Sequence, residues 1–387
     1  MIFHHLCFHL LLLSLRLHTT HSTCNNFPLT LVVPCYNEEQ RLPTQQFIQY
    51  IQQHQTCPET TSFIFVNDGS TDQTLSVLNQ LHSQFPAAVH VLDLLHNQGK
   101  AEAVRLGLLQ ALKEQPPSSG GIVGYWDGDL ATPLASIQVF MHIFVAHAHI
   151  DMVFGSRVAL LGRDIQRHAS RHYLGRIFAT LASWLLELRI YDTQCGAKLF
   201  RSSTDVQWAL TESFENRWIF DVELIARLKV QRQHTLAQWG KGGGGRERGR
   251  GSSERSSGSV LDPMVYPAPP LVLSNTIYES PLDSWKDISG SKLSLKHKAS
   301  ALYGLYYIWR KYSSSSPLRS WDPATGESSG IGDWEGDMLM YGVVFVAINT
   351  CLVWAWCCCL CVKQRGGSSD TKLMKVLKKR QARKKND

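Results

Sequence analysis

Five short apolar, β-rich runs mark the first 160 residues: 29–33, 62–66, 89–92, 122–126 and 152–154. The first stops at Pro34 and the second at Asn67-Asp68-Gly69, as strands stop at turn-forming residues. Between the runs, apolar residues recur at helical spacing, as in Leu75, Leu78, Leu81 and in Ala101, Val104, Leu108, Leu112. Strands alternating with helices predict an α/β fold with a doubly wound sheet. Such a sheet gathers ligands at the carboxyl ends of its strands, where the polar motifs of this chain fall. Two further amphipathic stretches, 171–188 and 220–228, predict helices.

After these the composition changes. Residues 240–259 are almost wholly Gly, Ser, Arg, Glu and Lys. Such a segment cannot bury a core and predicts a disordered insertion. Order is expected again around 271–280. Tyr303, Tyr306, Tyr307 and Trp309 then stand among Lys292, Lys296, Lys298, Arg310 and Lys311. An amphipathic, basic and aromatic stretch suits a membrane surface, with ordinary helix packing as the alternative. The run 338–362 holds 25 residues without a charge, and about 20 apolar residues span a bilayer. A transmembrane helix is expected there, with a buried core helix as the alternative. Residues 6–17 are shorter and interrupted by His9, Ser14 and Arg16. They read as the core of a signal peptide, or else as an anchor helix. The expected division is a leader at 1–24, a globular domain at 27–239 and the insertion at 240–262. The domain's C-terminal part follows at 263–312, then a linker at 313–337, the span at 338–362 and a basic tail at 363–387.

Charge and cysteines narrow the function classes. The formal net charge is +7, but the tail alone carries ten basic and two acidic residues. The remaining chain is close to neutral, which argues against a nucleic-acid surface. Five of the ten cysteines sit in the apolar run 338–362. Cys24, Cys35, Cys57 and Cys195 form no CxxC pair, so neither a disulfide framework nor a zinc site is indicated.

The chemistry concentrates in Tyr125-Trp126-Asp127-Gly128-Asp129. Two carboxylates one residue apart, directly after a buried strand, can face one side of a turn. There they repel unless a cation intervenes, and hard oxygen ligands suit Mg²⁺ or Mn²⁺. Asp68 ends another strand before Gly69-Ser70-Thr71-Asp72. It can accept hydrogen bonds from a base or ribose, while Ser70 or Thr71 caps the next helix. In Pro34-Cys35-Tyr36-Asn37-Glu38-Glu39, Tyr36 can stack on a base and Glu38 can accept from a ribose or base N–H.

The ordered series Val33-Pro34-Cys35-Tyr36-Asn37-Glu38, Val66-Asn67-Asp68-Gly69-Ser70, Asn97-Gln98-Gly99-Lys100 and Asp127-Gly128-Asp129 resembles glycosyltransferase family 2. Asp192-Thr193-Gln194-Cys195-Gly196-Ala197-Lys198-Leu199-Phe200, Arg217-Trp218-Ile219-Phe220-Asp221-Val222-Glu223-Leu224 and the segment from Trp285 to Lys292 resemble its dolichyl-phosphate β-glucosyltransferases. Ala131-Thr132 after the paired aspartates agrees with these rather than with some mannosyltransferases, which carry Gln in place of Ala131. The resemblance implies a GT-A fold, a UDP-sugar donor and a polyprenyl (dolichyl) phosphate acceptor. It implies that Pro34, Tyr36, Glu38, Asp68 and Lys100 line the nucleotide-sugar pocket. Asp127 and Asp129 would hold the metal and diphosphate, and Arg157, in Gly155-Ser156-Arg157, would face phosphate. Arg171, Lys198 and Arg217 would hold the acceptor phosphate. Asp192 and Asp221 would orient the acceptor or serve as base, with helix capping the alternative for Asp221. The implied reaction inverts the anomeric carbon and makes dolichyl β-D-glucosyl phosphate for protein N-glycosylation. Another sugar, a glycan acceptor, or an inactive membrane scaffold are the competing readings.

Residence in the endoplasmic-reticulum membrane is expected. Lys384-Lys385-Asn386-Asp387 resembles a dilysine retrieval signal, and membrane lipid is then a partner. Orientation pulls two ways. A basic tail favours the cytosol, yet a cleaved leader with one span would leave the catalytic domain in the lumen. The absence of any Asn-x-Ser/Thr acceptor and of a disulfide pattern favours a cytosolic active site.

Overall fold

A computed structural model of the chain describes residues 27–54, 61–167, 169–242, 271–286 and 295–312. The leader, most of the insertion, the linker, the apolar run 338–362 and the basic tail lie outside the described residues. Among the described residues, no helix is long and apolar enough to cross a membrane.

The five apolar runs are strands: β1 (Leu29–Cys35), β2 (Thr61–Asp68), β3 (Val89–Leu94), β4 (Ile122–Trp126) and β5 (Met152–Ser156). Helices α1 (Thr44–His54), α2 (Thr74–Gln84), α3 (Lys100–Glu114) and α4 (Ser136–Ala146) alternate with them. Then come β6 (Asp164–Gln166), α5 (Ala169–Leu186), β7 (Ala197–Arg201), α6 (Thr204–Ala209) and α7 (Phe220–Gly242). Strands β8 (Ile277–Pro281) and β9 (Ser284–Lys286) and helix α8 (Leu295–Tyr312) follow.

Seven strands form one sheet in the order β3-β2-β1-β4-β7-β5-β8, and β6 pairs with β9 in a separate two-stranded sheet. Strands β1 to β4 are parallel, whereas β7 runs antiparallel between β4 and β5. The sheet is therefore mixed α/β and mainly parallel. Because the chain winds from β1 to β2 and β3 on one side and returns to β4 on the other, the strand order reverses between β1 and β4. That reversal opens a crevice at the carboxyl ends. The register shows where it starts: β1 pairs with β4 only from Leu29 to Val32, but with β2 as far as Cys35. Pro34 has no N–H to donate, and it stands beyond the last β4 pairing, where none is required of it on that side.

The central strands β1, β2, β4, β7 and β5 are buried on both faces, and the edge strands β3 and β8 are part-exposed. On one face, Phe47 of α1 meets Phe63 and Phe65 edge-on, with ring centroids 5.6 and 5.1 Å apart. Each such pair contributes about 0.5–1.5 kcal/mol beyond the area it buries. On the other, α3 lies across β1 and β2 at Gly107, where an added Cβ would fall 2.3 Å from Val32. The close approach sets α3 with its first residue, Lys100, at the carboxyl ends.

Several elements depart from the sequence reading, which also had no place for β6, α6 and β9. Helix α7 runs on to Gly242, so it takes up the first residues assigned to the insertion. Helix α5 begins and ends two residues before the stretch 171–188. The segment Ala197–Arg201 is a central strand that the sequence reading did not foresee, and its buried Lys198 obscured it.

Candidate functional site

The end of β4 carries the paired aspartates. Asp127 donates its backbone N–H to Gly196 O (2.9 Å), which ties the turn to the segment leading into β7. The chain then turns through Leu130, a buried non-glycine residue at φ 51°, and Ala131 N–H donates to Asp129 Oδ1 (3.0 Å). Position 128 stands against the end of β1: a Cβ there would lie 3.3 Å from Val33 and 3.5 Å from Pro34 O. The aspartate turn thus sits at the β1–β4 reversal.

Both carboxylates are part-exposed. Lys100 Nζ lies 2.5 Å from Asp127 Oδ1 and is itself half-exposed. Partial burial opposes its charge, but Asp127, Asp221 and Asp129 around it outweigh that and raise its pKa. Burial, then the like charge of Asp127, raises the pKa of Asp129. Two hard carboxylates that repel each other, at the strand-order reversal, fit a divalent cation that would also take ligand oxygens. Among the described residues no group of three or more His, Cys, Asp or Glu could hold a metal unaided. The remaining oxygens would come from a bound ligand and water.

The loops after β1 and β2 are laced together beside this turn. Asn37 N–H donates to Ser70 Oγ (3.0 Å), and Thr71 N–H donates to Asn37 Oδ1 (2.9 Å). Glu38 N–H donates to Thr74 Oγ1 (2.8 Å). The Glu38 carboxylate lies 3.5 Å from Arg41. Tyr36 is exposed and Pro34 part-buried, both at the open end of β1. Asp68 is different: it is 2 % exposed, and its two oxygens accept from Gln98 N–H (2.7 Å) and Gly99 N–H (2.9 Å). Burial raises its pKa against those two bonds. In this geometry Asp68 latches the loop that presents Lys100. Exposed Arg217 lies along the same loop, its Cδ 3.3 Å from where a Cβ on Gly99 would stand.

The other carboxylates are buried and neutralised. Asp192 accepts from Arg157 three times, from N–H (3.1 Å), Nε (2.7 Å) and Nη2 (2.8 Å). Burial works against its charge, and the Arg157 guanidinium overcomes this and holds its pKa well below the usual carboxylate range. Arg157 also lies over the Trp285 ring, 5.4 Å from the centroid. Lys198 is fully buried. Its Nζ donates to Cys195 O (2.7 Å) and to Asp221 Oδ1 (2.7 Å), and the Tyr125 hydroxyl donates to the same Asp221 oxygen. Arg171 is on α5, and its side chain lies outside the described residues.

Three residues with clear parts in this geometry had no role in the sequence reading. Gly196 carries the Asp127 carboxylate so closely that a Cβ there would fall 2.0 Å from Asp127 Oδ2. Tyr125 joins Asp221. Glu279 of β8 accepts from Tyr191 N–H (2.7 Å) and Asp192 N–H (2.8 Å). Gly196 was visible within its motif, whereas nothing local marks Glu279.

The sequence profile described as "Glycosyl transferase family 2" matches residues 30–206, which contain the aspartate turn, Asp68, Lys100 and the Arg157–Asp192 pair. The chain carries a family 2 glycosyltransferase domain. Its curated relatives include the dolichyl-phosphate beta-glucosyltransferase of Drosophila melanogaster, 35 % identical over 54 % of this chain and 66 % of that protein. The Mus musculus protein of the same name is 33 % identical over 51 % and 61 %. The match thus spans less than two thirds of the length of these relatives. A crystal structure of glucosyl-3-phosphoglycerate synthase from Mycobacterium tuberculosis with UDP is 14 % identical. That alignment covers 79 % of this chain and 88 % of the other, at a TM-score of 0.44, a likeness too low to add to the family match.

Proposed function

We propose that this domain transfers glucose from UDP-glucose to dolichyl phosphate, with inversion, giving dolichyl β-D-glucosyl phosphate. The observation that carries the reading is the open carboxylate pair at the strand-order reversal, with Lys100 beside it. The names of the relatives supply the sugar and the lipid. A GT-A arrangement of the sheet goes with this reading.

A divalent cation, Mg²⁺ or Mn²⁺, held by Asp127 and Asp129 would stabilise the negative charge on the leaving diphosphate. Lys100 places a fixed positive charge at the same point. Tyr36 and Pro34, at the end of β1, are positioned to meet the base, and Glu38 and Asp68 shape the loops around it. The anomeric C–O bond of the donor breaks, a phosphate oxygen of the acceptor forms the new bond, and UDP leaves. A phosphate monoester has its second pKa at about 6, so it arrives mostly ionised near neutral pH and requires little help from a base. The ion-paired state of Asp192 and Asp221 supports a reaction that asks no base of them. Exposed Arg217, and Arg171 on α5, are our candidates to hold the acceptor phosphate.

The test is transfer by the detergent-solubilised full chain with Mn²⁺ and labelled UDP-sugars. Label entering the organic phase from UDP-glucose only when dolichyl phosphate is present supports the reading. Transfer that ignores dolichyl phosphate, or label released only into water, overturns it.

We also propose residence in the endoplasmic-reticulum membrane with the catalytic domain facing the cytosol. The uncharged run 338–362 beside a basic segment supports membrane residence, and the lack of glycosylation acceptors supports the cytosolic side. Digestion of the domain by protease in intact microsomes is the expected result, and protection until detergent is added would place the domain in the lumen.

A further inference from the structure

Lys198 is a fully buried ammonium, and the residues it joins belong to three different elements. In the β4–β7 register it stands opposite Tyr125, with Ala197 opposite Trp126. The next residue of β7's lead-in, Gly196, therefore meets Asp127, whose N–H it accepts. Nζ of Lys198 reaches back to Cys195 O, one residue before Gly196, and across to Asp221 at the start of α7. Asp221 in turn takes the Tyr125 hydroxyl, two residues before Asp127. The ring is closed: β4, the 195–196 peptide, β7 and α7 are fastened to one buried cation. Nothing of this ammonium faces solvent, which leaves it badly placed to touch a lipid phosphate.

The contact at Gly196 gives the ring a consequence. The Asp127 carboxylate rests directly on the 196 backbone, with no room for a methyl group. Any shift of the 195–196 peptide is passed to Asp127. From this geometry we infer that Lys198 is a positioning residue for the donor site, fixing the Asp127 carboxylate against Asp129 and Lys100 through Cys195 and Gly196. The inference rests on the proposed function in that it takes Asp127 and Asp129 to be the metal–diphosphate site. It differs from an acceptor-phosphate role for Lys198 in which substrate it affects.

The experiment measures Mn²⁺–UDP binding by calorimetry, and KM for dolichyl phosphate, on the full chain in detergent. The variants are Lys198→Met and Lys198→Gln, each checked by melting temperature. Lys198→Gln keeps most of the stem and an N–H donor for Cys195 O, so it preserves packing. For Lys198→Met the expected result is Mn²⁺–UDP binding weakened about tenfold or more, with Lys198→Gln intermediate and the dolichyl phosphate KM little changed in both. Wild-type binding strength in a folded variant, or a rise confined to the dolichyl phosphate KM, overturns the inference and returns Lys198 to the acceptor. A wild-type chain that binds no Mn²⁺–UDP overturns the donor-site reading itself, and this inference with it.

Discussion

Two groups of carboxylates lie within the same end of this fold, and they are built in opposite ways. Asp127 and Asp129 are part-exposed, repel each other, and have one half-exposed lysine nearby. Asp192 and Asp221 are buried, and each is matched by its own cation, part-buried Arg157 or fully buried Lys198. A buried ion pair contributes little net stability, yet breaking it is costly because one charge is left unpaired in low dielectric. The open pair keeps its unbalanced charge available to a ligand. The closed pairs use theirs to fasten loops. Sequence motifs mark all four aspartates alike, and only packing separates the two kinds.

The sharpest way to break that comparison is to neutralise each kind in turn. Asp127→Asn or Asp129→Asn removes a ligand-facing charge, and turnover at saturating Mn²⁺ should fall about 100-fold or more while the melting temperature holds. Near-normal turnover in either variant would end the metal-site reading. Arg157→Leu should act the other way, costing about 3–5 kcal/mol of stability, read as a lower melting temperature. The double variant Arg157→Leu/Asp192→Leu should be less destabilised than Arg157→Leu alone, since it leaves no orphaned charge. A double variant as unstable as the two single losses added together would show that the pair does not act as a unit.

Gly196→Ala sharpens the boundary between the groups, because position 196 belongs to the closed loop and touches the open carboxylate. It should weaken Mn²⁺–UDP binding about tenfold with a small change in melting temperature. Unchanged binding would show that the loop gives way without moving Asp127. The smallest effect is in pH. Asp129 has a raised pKa, so Mn²⁺–UDP binding should fall on acidification at a pH above the ordinary aspartate value of about 3.9, and Asp129→Asn should flatten that profile. Asp192 has a depressed pKa. Its contribution to stability is full above about pH 3.9, the unfolded value, and is lost as pH falls through its lower folded value. An acid-induced fall in melting temperature that persists unchanged in Asp192→Asn would contradict this.

Much of the half built on β1 to β4 was legible because its signals are local. The runs ending at Pro34, Asp68 and Trp126 alternate with helical periods, and each strand appears within two or three residues of its expected bounds. Asp127, Asp129 and Lys100 were named by motif and meet at one point in the structure. The half built around β7 and α7 was less legible. β7 is only five residues long, and the lysine at its second position resembles a phosphate ligand unless its partner on α7, 23 residues away, is known. For Asp68, expected at the nucleotide pocket, nothing in its own segment reveals the two amides of the 97–99 loop that its oxygens accept from. Glu279 supports the Tyr191–Asp192 backbone from 87 residues further along the chain, a separation no window of sequence covers. The extent of α7 was misjudged for a simpler reason: composition locates where low-complexity sequence begins, not how far a helix extends into it.

The central claim is that the open pair, and not the closed ones, holds the donor through a divalent cation. The most direct measurement is a structure of the chain with Mn²⁺ and UDP, with the metal located by anomalous scattering. The account predicts one manganese peak about 2 Å from carboxylate oxygens of Asp127 and Asp129, bridged to the diphosphate, with Arg157–Asp192 and Lys198–Asp221 still paired. A metal bound instead at Asp192 or Asp221, or UDP bound away from the β1–β4 reversal, would contradict it.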